Sequence, residues 1–187
     1  MSFTASTAVS IICTKANDPN QERYGDLAYD YLNESISELM DKKEYTTEDV
    51  YGLVAESSAS VNKDGFSLNS IVRKIANIEN IFCDPSLSTA SSKIIKEVDV
   101  DFFNGLQGQH GFIDSDEVLA YRVGDNYNFF PASNASGIRV NIIYTKYADE
   151  FSSNEPTTDL LIYFSKNFVY KAIKLSTQKL LKERGTE

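Results

Sequence analysis

The sequence predicts an α+β protein: a helical bundle from the N- and C-terminal helices, with a β-rich insertion between them that contains an antiparallel meander. Two observations support this fold class. Apolar residues recur at intervals of three and four near both ends of the chain, which indicates amphipathic helices. Between residues 118 and 145, apolar and polar residues alternate instead, which indicates half-buried strands. We therefore divide the single subunit 1–187 into a helical part, residues 1–44 and 157–187, and a β-rich insertion, residues 45–156.

Two helices are predicted in the N-terminal part. Residues 4–16 carry apolar side chains on one face of a short helix. Asp18 and Pro19 then have the character of a helix N-cap and a first helical residue. The long helix that follows is expected to cover residues 19–43 and to end in two lysines that suit its C-terminal dipole. Its apolar positions recur every three or four residues: Ala28, Leu32, Ile36, Leu39 and Met40.

The first half of the insertion is less regular than its flanks. We predict an extended segment over residues 45–55 and a polar loop over residues 57–67. Residues 71–82 fit a helical pattern as well as a strand, and their β-branched side chains favour a strand over residues 73–82. A second polar loop is expected over residues 84–92.

Short elements are predicted in the middle of the insertion. Residues 94–100 have the composition of an extended segment, and residues 101–106 that of a short turn or helical step. Glycine then recurs every third residue over residues 105–111, which predicts a loop.

Three strands are predicted to complete the insertion as an antiparallel meander, over residues 118–123, 127–130 and 138–145. Gly124 begins a Gly-Asp-Asn sequence that suits the tight turn between the first two strands. Pro131 cannot donate a hydrogen bond to a neighbouring strand, so the second strand is expected to stop there.

The C-terminal segment is predicted to form one helix over residues 158–184. Thr157 or Thr158 can cap its start, and Gly185 follows its last residue. Its apolar face is expected to pack on the long N-terminal helix. The side chains predicted to meet there are Leu32, Ile36, Leu39, Phe164, Phe168 and Val169.

The sequence offers little catalytic chemistry. His110 is the single histidine and lies in a glycine-rich loop without a nucleophile motif, which favours a solvated residue. The glycines around it do not match a phosphate-binding fingerprint. Asp99 and Asp101 lie at the start of a sequence that fails the spacing of a calcium loop. Cys13 and Cys83 are expected to be buried free thiols. We predict no enzyme activity, no cofactor and no bound metal.

Charge restricts the classes of partner. The net charge of −9 argues against tight non-specific binding to nucleic acid or to an anionic membrane, and no stretch is apolar enough to span a bilayer. The charge is uneven, because residues 158–187 contain six cations and three anions. This basic end either suits the C-terminal dipole of its helix or docks on an acidic partner surface. The candidate partner-binding residues are Lys174, Lys179, Lys182 and Arg184.

A cluster of aromatic residues in the predicted meander has two interpretations. The side chains pack across strands over a core, or they form an exposed face that captures a partner. The residues concerned are Tyr121, Tyr127, Phe129, Phe130 and Tyr144.

The order of parts resembles the head-to-tail adaptor (connector) proteins of tailed bacteriophages, especially those of short-tailed phages. The similarity extends over nearly the whole chain. A short helix precedes a long one that carries Tyr31-Leu32-Asn33-Glu34, and Val100-Asp101-Phe102-Phe103 precedes the meander. The segment from Gly137 to Tyr144 and the Leu/Phe/Tyr-rich C-terminal helix complete the pattern.

The resemblance implies a structural virion protein that is made in the host cytoplasm and is located at the head–tail junction. Such subunits form a ring, typically of twelve copies, with the portal protein on one side and tail nozzle or tail tube proteins on the other. DNA passes through the channel without specific binding, and no catalytic residues are implied. The alternatives are a small soluble monomeric protein-binding module that uses the aromatic face of the meander, and a metal-dependent enzyme that uses acidic residues in the range 99–117.

Overall fold

The structure is a computed structural model that describes residues 2–60, 66–67, 75–83, 94–106, 116–124, 126–131 and 138–185. These residues form a mixed α+β fold with four α-helices, two short 3-10 helices and seven strands. The chain divides into two compact units, Met1–Val54 with Tyr147–Glu187, and Ala55–Lys146. The division expected from the sequence, with residues 45–156 as an insertion, stays a prediction about the subunit.

Three helices form the first unit, and each contacts the other two. They are α1 (Ala5–Lys15), α2 (Gly25–Asp41) and α4 (Lys166–Arg184). The short helix predicted over residues 4–16 is therefore confirmed, and Thr4 caps it by accepting the Thr7 N–H. Large apolar side chains fill the space between the helices; among the most deeply buried are Ile12, Leu32, Met40, Leu160, Phe164, Phe168 and Ile173.

The predicted contact between the long N-terminal helix and the C-terminal helix is confirmed. Helices α2 and α4 contact each other, and all six side chains expected at the contact are buried. Small residues allow the close approach, because Ser35 and Ser176 are both fully buried. The Ser176 hydroxyl donates to the backbone carbonyls of Tyr31, at 3.0 Å, and Ala172, at 2.7 Å.

The predicted start of the long helix is wrong, because α2 begins at Gly25 and not at Pro19. The Asp18 carboxylate caps a turn instead, accepting the backbone N–H groups of Arg23, at 3.2 Å, and Tyr24, at 2.9 Å. Gln21 within this turn has a φ of 58°, which no α-helix contains. Asp18 therefore caps the turn that precedes α2, and the N-cap of the helix itself is Tyr24.

The single C-terminal helix predicted over residues 158–184 is also wrong. A 3-10 helix, Leu160–Ile162, comes first, and α4 starts only after Ser165. The caps are Asp159 and Ser165, whereas Thr157 and Thr158 were expected. The Ser165 hydroxyl donates to the Asp49 carboxylate at 2.6 Å and accepts the Phe168 N–H, so it caps the start of α4. Gly185 follows the last residue of α4, as predicted.

The segment from 45 to 55 is not the extended stretch that the sequence indicated. Its centre is a turn, in which the Asp49 carboxylate accepts the Thr46 N–H at 3.1 Å. A 3-10 helix, Tyr51–Leu53, follows directly. Extended backbone begins only at Val54, so the prediction holds for the last two residues.

The second unit contains two sheets. One has the strand order β1-β7-β3 and the other the order β2-β6-β5-β4. The strands are β1 (Val54–Ser60), β2 (Phe66–Ser67), β3 (Ile75–Cys83), β4 (Ile94–Glu97), β5 (Glu117–Val123), β6 (Asn126–Phe130) and β7 (Arg139–Lys146).

The predicted meander is correct for two strands and wrong for the third. Strands β5 and β6 form an antiparallel hairpin that pairs Val123 with Asn126, and Gly124 has the φ of 60° that the turn requires. Strand β6 ends before Pro131, as predicted. Strand β7, however, pairs antiparallel with β3, with Ile142 opposite Ile81, so it belongs to the other sheet.

Two further differences concern the predicted loops. The polar segment 57–67 contains strand at both ends, in β1 and β2, while residues 61–65 lie outside the described residues. The strand expected over residues 73–82 is confirmed as β3. The predicted loop 84–92 and the part of the glycine-rich loop after residue 106 lie outside the described residues.

Strands β4 and β5 are parallel, and α3 (Val100–Leu106) lies in the connection between them. The predicted short helical step is thereby confirmed. The Asp99 carboxylate accepts the Phe102 N–H at 2.6 Å and so caps α3. Extended backbone in the preceding segment covers Ile94–Glu97, within the predicted range 94–100.

Side chains from both sheets form one core in the second unit. The alternation predicted for β7 is confirmed, because Val140, Ile142 and Tyr144 are buried while Arg139 is exposed. The core residues are Ile81, Cys83, Val118, Ala120, Tyr127, Phe129, Ile138, Val140, Ile142 and Tyr144.

Candidate functional site

The candidates for catalysis do not form a site in the described part of the chain. His110 lies outside the described residues, and the Asp99 carboxylate caps α3. Among the residues that the structure describes, no group of histidine, cysteine, aspartate and glutamate could hold a metal ion. Cys13 and Cys83 are buried free thiols, as predicted. Burial, with the nearby Asp18 carboxylate, raises the pKa of Cys13 to about 11, so its thiol is poorly nucleophilic near neutral pH.

The aromatic cluster of the predicted meander divides into two groups. Tyr127, Phe129 and Tyr144 are buried in the core of the second unit. The Tyr127 hydroxyl donates to Glu97 Oε1 at 2.6 Å, and burial together with this carboxylate raises the pKa of Tyr127 above its ordinary value. Three of the five aromatic residues are therefore packing residues.

The remaining two aromatic residues lie on the outer face of the hairpin. Phe103 of α3 stacks on Tyr121, with ring centroids 4.0 Å apart, and meets Phe130 edge-on at 5.5 Å. Tyr121 and Phe130 are half-buried as a result. Helix α3 thus covers much of the surface that a partner-binding face would use.

The four predicted partner-binding residues of α4 occupy different environments. Lys179 points towards α2, where its Nζ lies 3.0 Å from Glu34 and 2.9 Å from Glu38. The Arg184 guanidinium donates to the Ala16 carbonyl at the C-terminal end of α1. Lys174 and Lys182 are exposed, and neither has an ion pair or a side-chain hydrogen bond within the described part of the chain.

Glu38 lies between two lysines at the contact of α2 and α4. Its carboxylate is 2.5 Å from Lys42 Nζ and 2.9 Å from Lys179 Nζ. Hydrogen bonds from Lys42 and Lys179 lower the pKa of Glu38 to about 2. Burial disfavours the charged form of Lys179, but the nearby carboxylates of Glu38 and Glu34 have the larger effect, so the pKa of Lys179 is raised. A groove of about 400 Å³ lies beside this network, lined by Tyr31, Glu34, Lys179, Lys182 and Glu183.

The ion pairs of Glu38 predict that the intact protein is more stable than a Glu38→Gln variant near neutral pH, and that this difference disappears in acid. A carboxylate whose folded pKa is depressed stabilises the fold above its unfolded pKa, and this contribution is lost as the pH falls through the folded pKa. For Glu38 the window lies between about pH 4.5 and pH 2. We expect Glu38→Gln to be less stable than the intact protein at pH 7, with the difference shrinking through this window in urea unfolding.

The matched control for this titration is Glu22→Gln, which changes an exposed carboxylate away from the contact. Its difference from the intact protein should vary little with pH. A difference for Glu38→Gln that stays constant from pH 7 to pH 2.5 would show that the ion pairs do not contribute to folding.

The segment Tyr31–Glu34, which carries part of the family resemblance, connects α2 to the backbone at Phe151. The Asn33 side-chain amide donates to the Phe151 carbonyl at 2.8 Å, and its carbonyl accepts the Phe151 N–H at 2.9 Å. Leu32 is fully buried beside it. The sequence signal at these positions is therefore explained by packing around α2.

Sequence reasoning missed that the outward face of α4 also exposes large apolar side chains. Tyr170 is 56% exposed and Leu181 is 44% exposed, with Lys174 between them. Spacings of four and seven residues place all three on one side of the helix. The helical periodicity of the sequence contains this signal, because these positions lie opposite Ala172 and Ser176, which are fully buried.

Among the described helices, none combines the length and the apolar character of a membrane span. No protein-family model matches the chain, and no curated protein has a significantly similar sequence.

Proposed function

We propose that the chain is the subunit of a ring-shaped head-to-tail adaptor in the virion of a tailed bacteriophage. In this proposal the N- and C-terminal helices form a helical bundle, and the β-rich segment is an insertion into it. The observation that carries the proposal is the order of parts. Helices α1 and α2, a β-rich middle and a C-terminal helix packed on α2 follow one another in the order that the resemblance implies.

The proposed ring, typically of twelve copies, lies at the head–tail junction. It binds the portal protein on one side and tail nozzle or tail tube proteins on the other. DNA is ejected through its channel without specific binding. The net charge of −9 supports this role, because an acidic wall does not retain a polyanion.

The protein is proposed to act as a structural component and not as an enzyme. Support comes from the aspartates, several of which have backbone partners that explain their positions. Asp18, Asp49, Asp99 and Asp159 each accept backbone N–H groups at turns or helix starts. Such capping is a structural use of a carboxylate and engages at least one of its oxygens.

Electron microscopy and sedimentation velocity of the full-length protein test the proposed function. We expect closed rings with a central channel, formed either by the protein alone at high concentration or on addition of the portal protein encoded in the same genome. A protein that stays monomeric alone and does not bind the portal would overturn the adaptor function. That result would favour the monomeric binding module.

A further inference from the structure

Helix α4 presents an exposed face that is both positive and partly apolar. Lys171, Lys174 and Lys182 lie on this face, with Tyr170 and Leu181 among them. The residues of α4 on this side include no aspartate or glutamate. A contiguous basic and apolar surface of this kind is suited to an acidic protein partner.

Helix α2 presents an exposed face of the opposite sign. Asp26, Asp30, Glu34 and Asp41 are all exposed, and their spacings of four, four and seven residues place them in one stripe. Asp26 and Asp30 have no ion pair or side-chain hydrogen bond within the residues that the structure describes.

Most charges on the two faces do not pair with each other within one copy. Helices α2 and α4 contact each other through their buried faces, while Asp26, Asp30 and Lys174 are exposed outside that contact. Lys182 lines the groove at the border of the contact, beside Glu34. Among the described residues, Lys179 joins the charges of the two helices at the border of the contact, through its ion pairs with Glu34 and Glu38. The complementary charges of Asp26 and Asp30 and of Lys174 and Lys182 are therefore available to a second molecule.

We propose that the basic face of α4 in one copy of this protein docks on the acidic face of α2 in the next copy. The inference rests on the proposed function, because this contact would be the one that repeats around the ring. Two different surfaces of the same chain meet in it, so the contact is heterologous, and a heterologous contact that closes on itself produces a ring. Charge complementarity sets the register of the two helices, while Tyr170 and Leu181 supply the apolar area.

Two charge-reversed variants of the full-length protein test this contact. One carries Lys174→Glu and Lys182→Glu, and the other carries Asp26→Lys and Asp30→Lys. Each variant places like charges opposite each other, and we expect its self-association, measured by sedimentation velocity, to weaken about 100-fold. Added salt should weaken the association of the intact protein.

Mixing the two variants is the decisive step. In an equimolar mixture every contact again joins opposite charges, so assemblies of alternating variants should form although each variant alone stays dissociated. The control, Lys15→Glu with Lys166→Glu, makes the same change of net charge as the α4 variant but elsewhere on the first unit, and it should assemble like the intact protein. Circular dichroism melting of each variant shows that it is folded.

Three results would overturn the proposed contact. Variants that assemble like the intact protein would place the contact between copies elsewhere, while the adaptor function would stand. Loss of assembly in the α4 variant alone, or a mixture that fails to assemble, would mean that the α4 face binds a different surface. If the intact protein stays monomeric, both alone and with the portal, that result would contradict the proposed function as well as this contact.

Discussion

Replacing Phe168 by alanine is expected to lower the free energy of unfolding by about 3–5 kcal/mol. Phe168 is fully buried, stacks on Phe164 at a centroid distance of 4.9 Å and meets Tyr45 edge-on at 6.4 Å. Alanine removes the ring and leaves a cavity where Phe168 now packs against Phe164 and Tyr45. The backbone N–H that Ser165 caps is retained, so the substitution tests packing and not capping. Urea unfolding followed by circular dichroism measures the effect.

The control for this substitution is Tyr170→Ala, two residues further along the same helix. Tyr170 is 56% exposed and contacts Phe3 only edge-on, at 5.8 Å. Its loss should cost about 1 kcal/mol or less. A soluble Phe168→Ala variant that melts like the intact protein would show that α4 does not belong to the core of the first unit.

The elements that could be predicted from the sequence are those whose periodicity alone determines a buried face. Helix α1, the buried face of α4 and the alternation of β7 belong to this class. The turn at Gly124 could also be predicted, because few residues other than glycine accept its φ of 60°. In these cases the physical cause is local, within one turn or one strand.

The boundaries of the helices could not be predicted, because a capping side chain has several backbone donors within reach. Asp18 caps a turn and not a helix, and Ser165, which caps α4, is hydrogen-bonded to Asp49. Asp49 is 116 residues away along the chain. A contact at that distance leaves no local signal.

The pairing of the strands could not be predicted from the sequence either, because it too depends on contacts between distant segments. The alternation of β7 shows which of its side chains are buried, but it is equally compatible with pairing to β6 or to β3. The structure places β7 beside β3, in the sheet opposite the hairpin. The short β2 carries too few residues for any periodic signal.

The sequence predicted the positive charge of the candidate partner-binding surface, but not which of its residues already form ion pairs within the subunit. The excess of lysine near the C-terminus is visible in the sequence. Lys179 forms ion pairs with Glu34 and Glu38 because α2 packs against α4. This packing depends on both helices, so the sequence of one helix does not predict the ion pairs. Lys174 and Lys182 remain as the members of the predicted group that have no ion pair or side-chain hydrogen bond within the described residues.

Gly52→Ala is expected to destabilise the first unit by at least about 3 kcal/mol, because two backbone segments approach each other too closely for a side chain. A Cβ atom on Gly52 would lie 2.1 Å from the Ile162 carbonyl oxygen and 2.7 Å from the Tyr163 Cα. The segments can separate only by stretching the bond from the Gly52 N–H to the Tyr163 carbonyl, now 3.1 Å long, and by disturbing the Tyr51 hydroxyl bond to the Leu161 carbonyl.

Gly25→Ala is the matched control for Gly52→Ala, because a Cβ atom there meets only Gln21 Cβ, at 3.4 Å, an ordinary contact. Gly25 is also the first residue of α2, where alanine suits a helix better than glycine, so this variant should be as stable as the intact protein or slightly more stable. Thermal and urea unfolding of both variants measure the contrast. If the two variants unfold at the same denaturant concentration, the chain at Gly52 does not approach Ile162 and Tyr163 as closely as described.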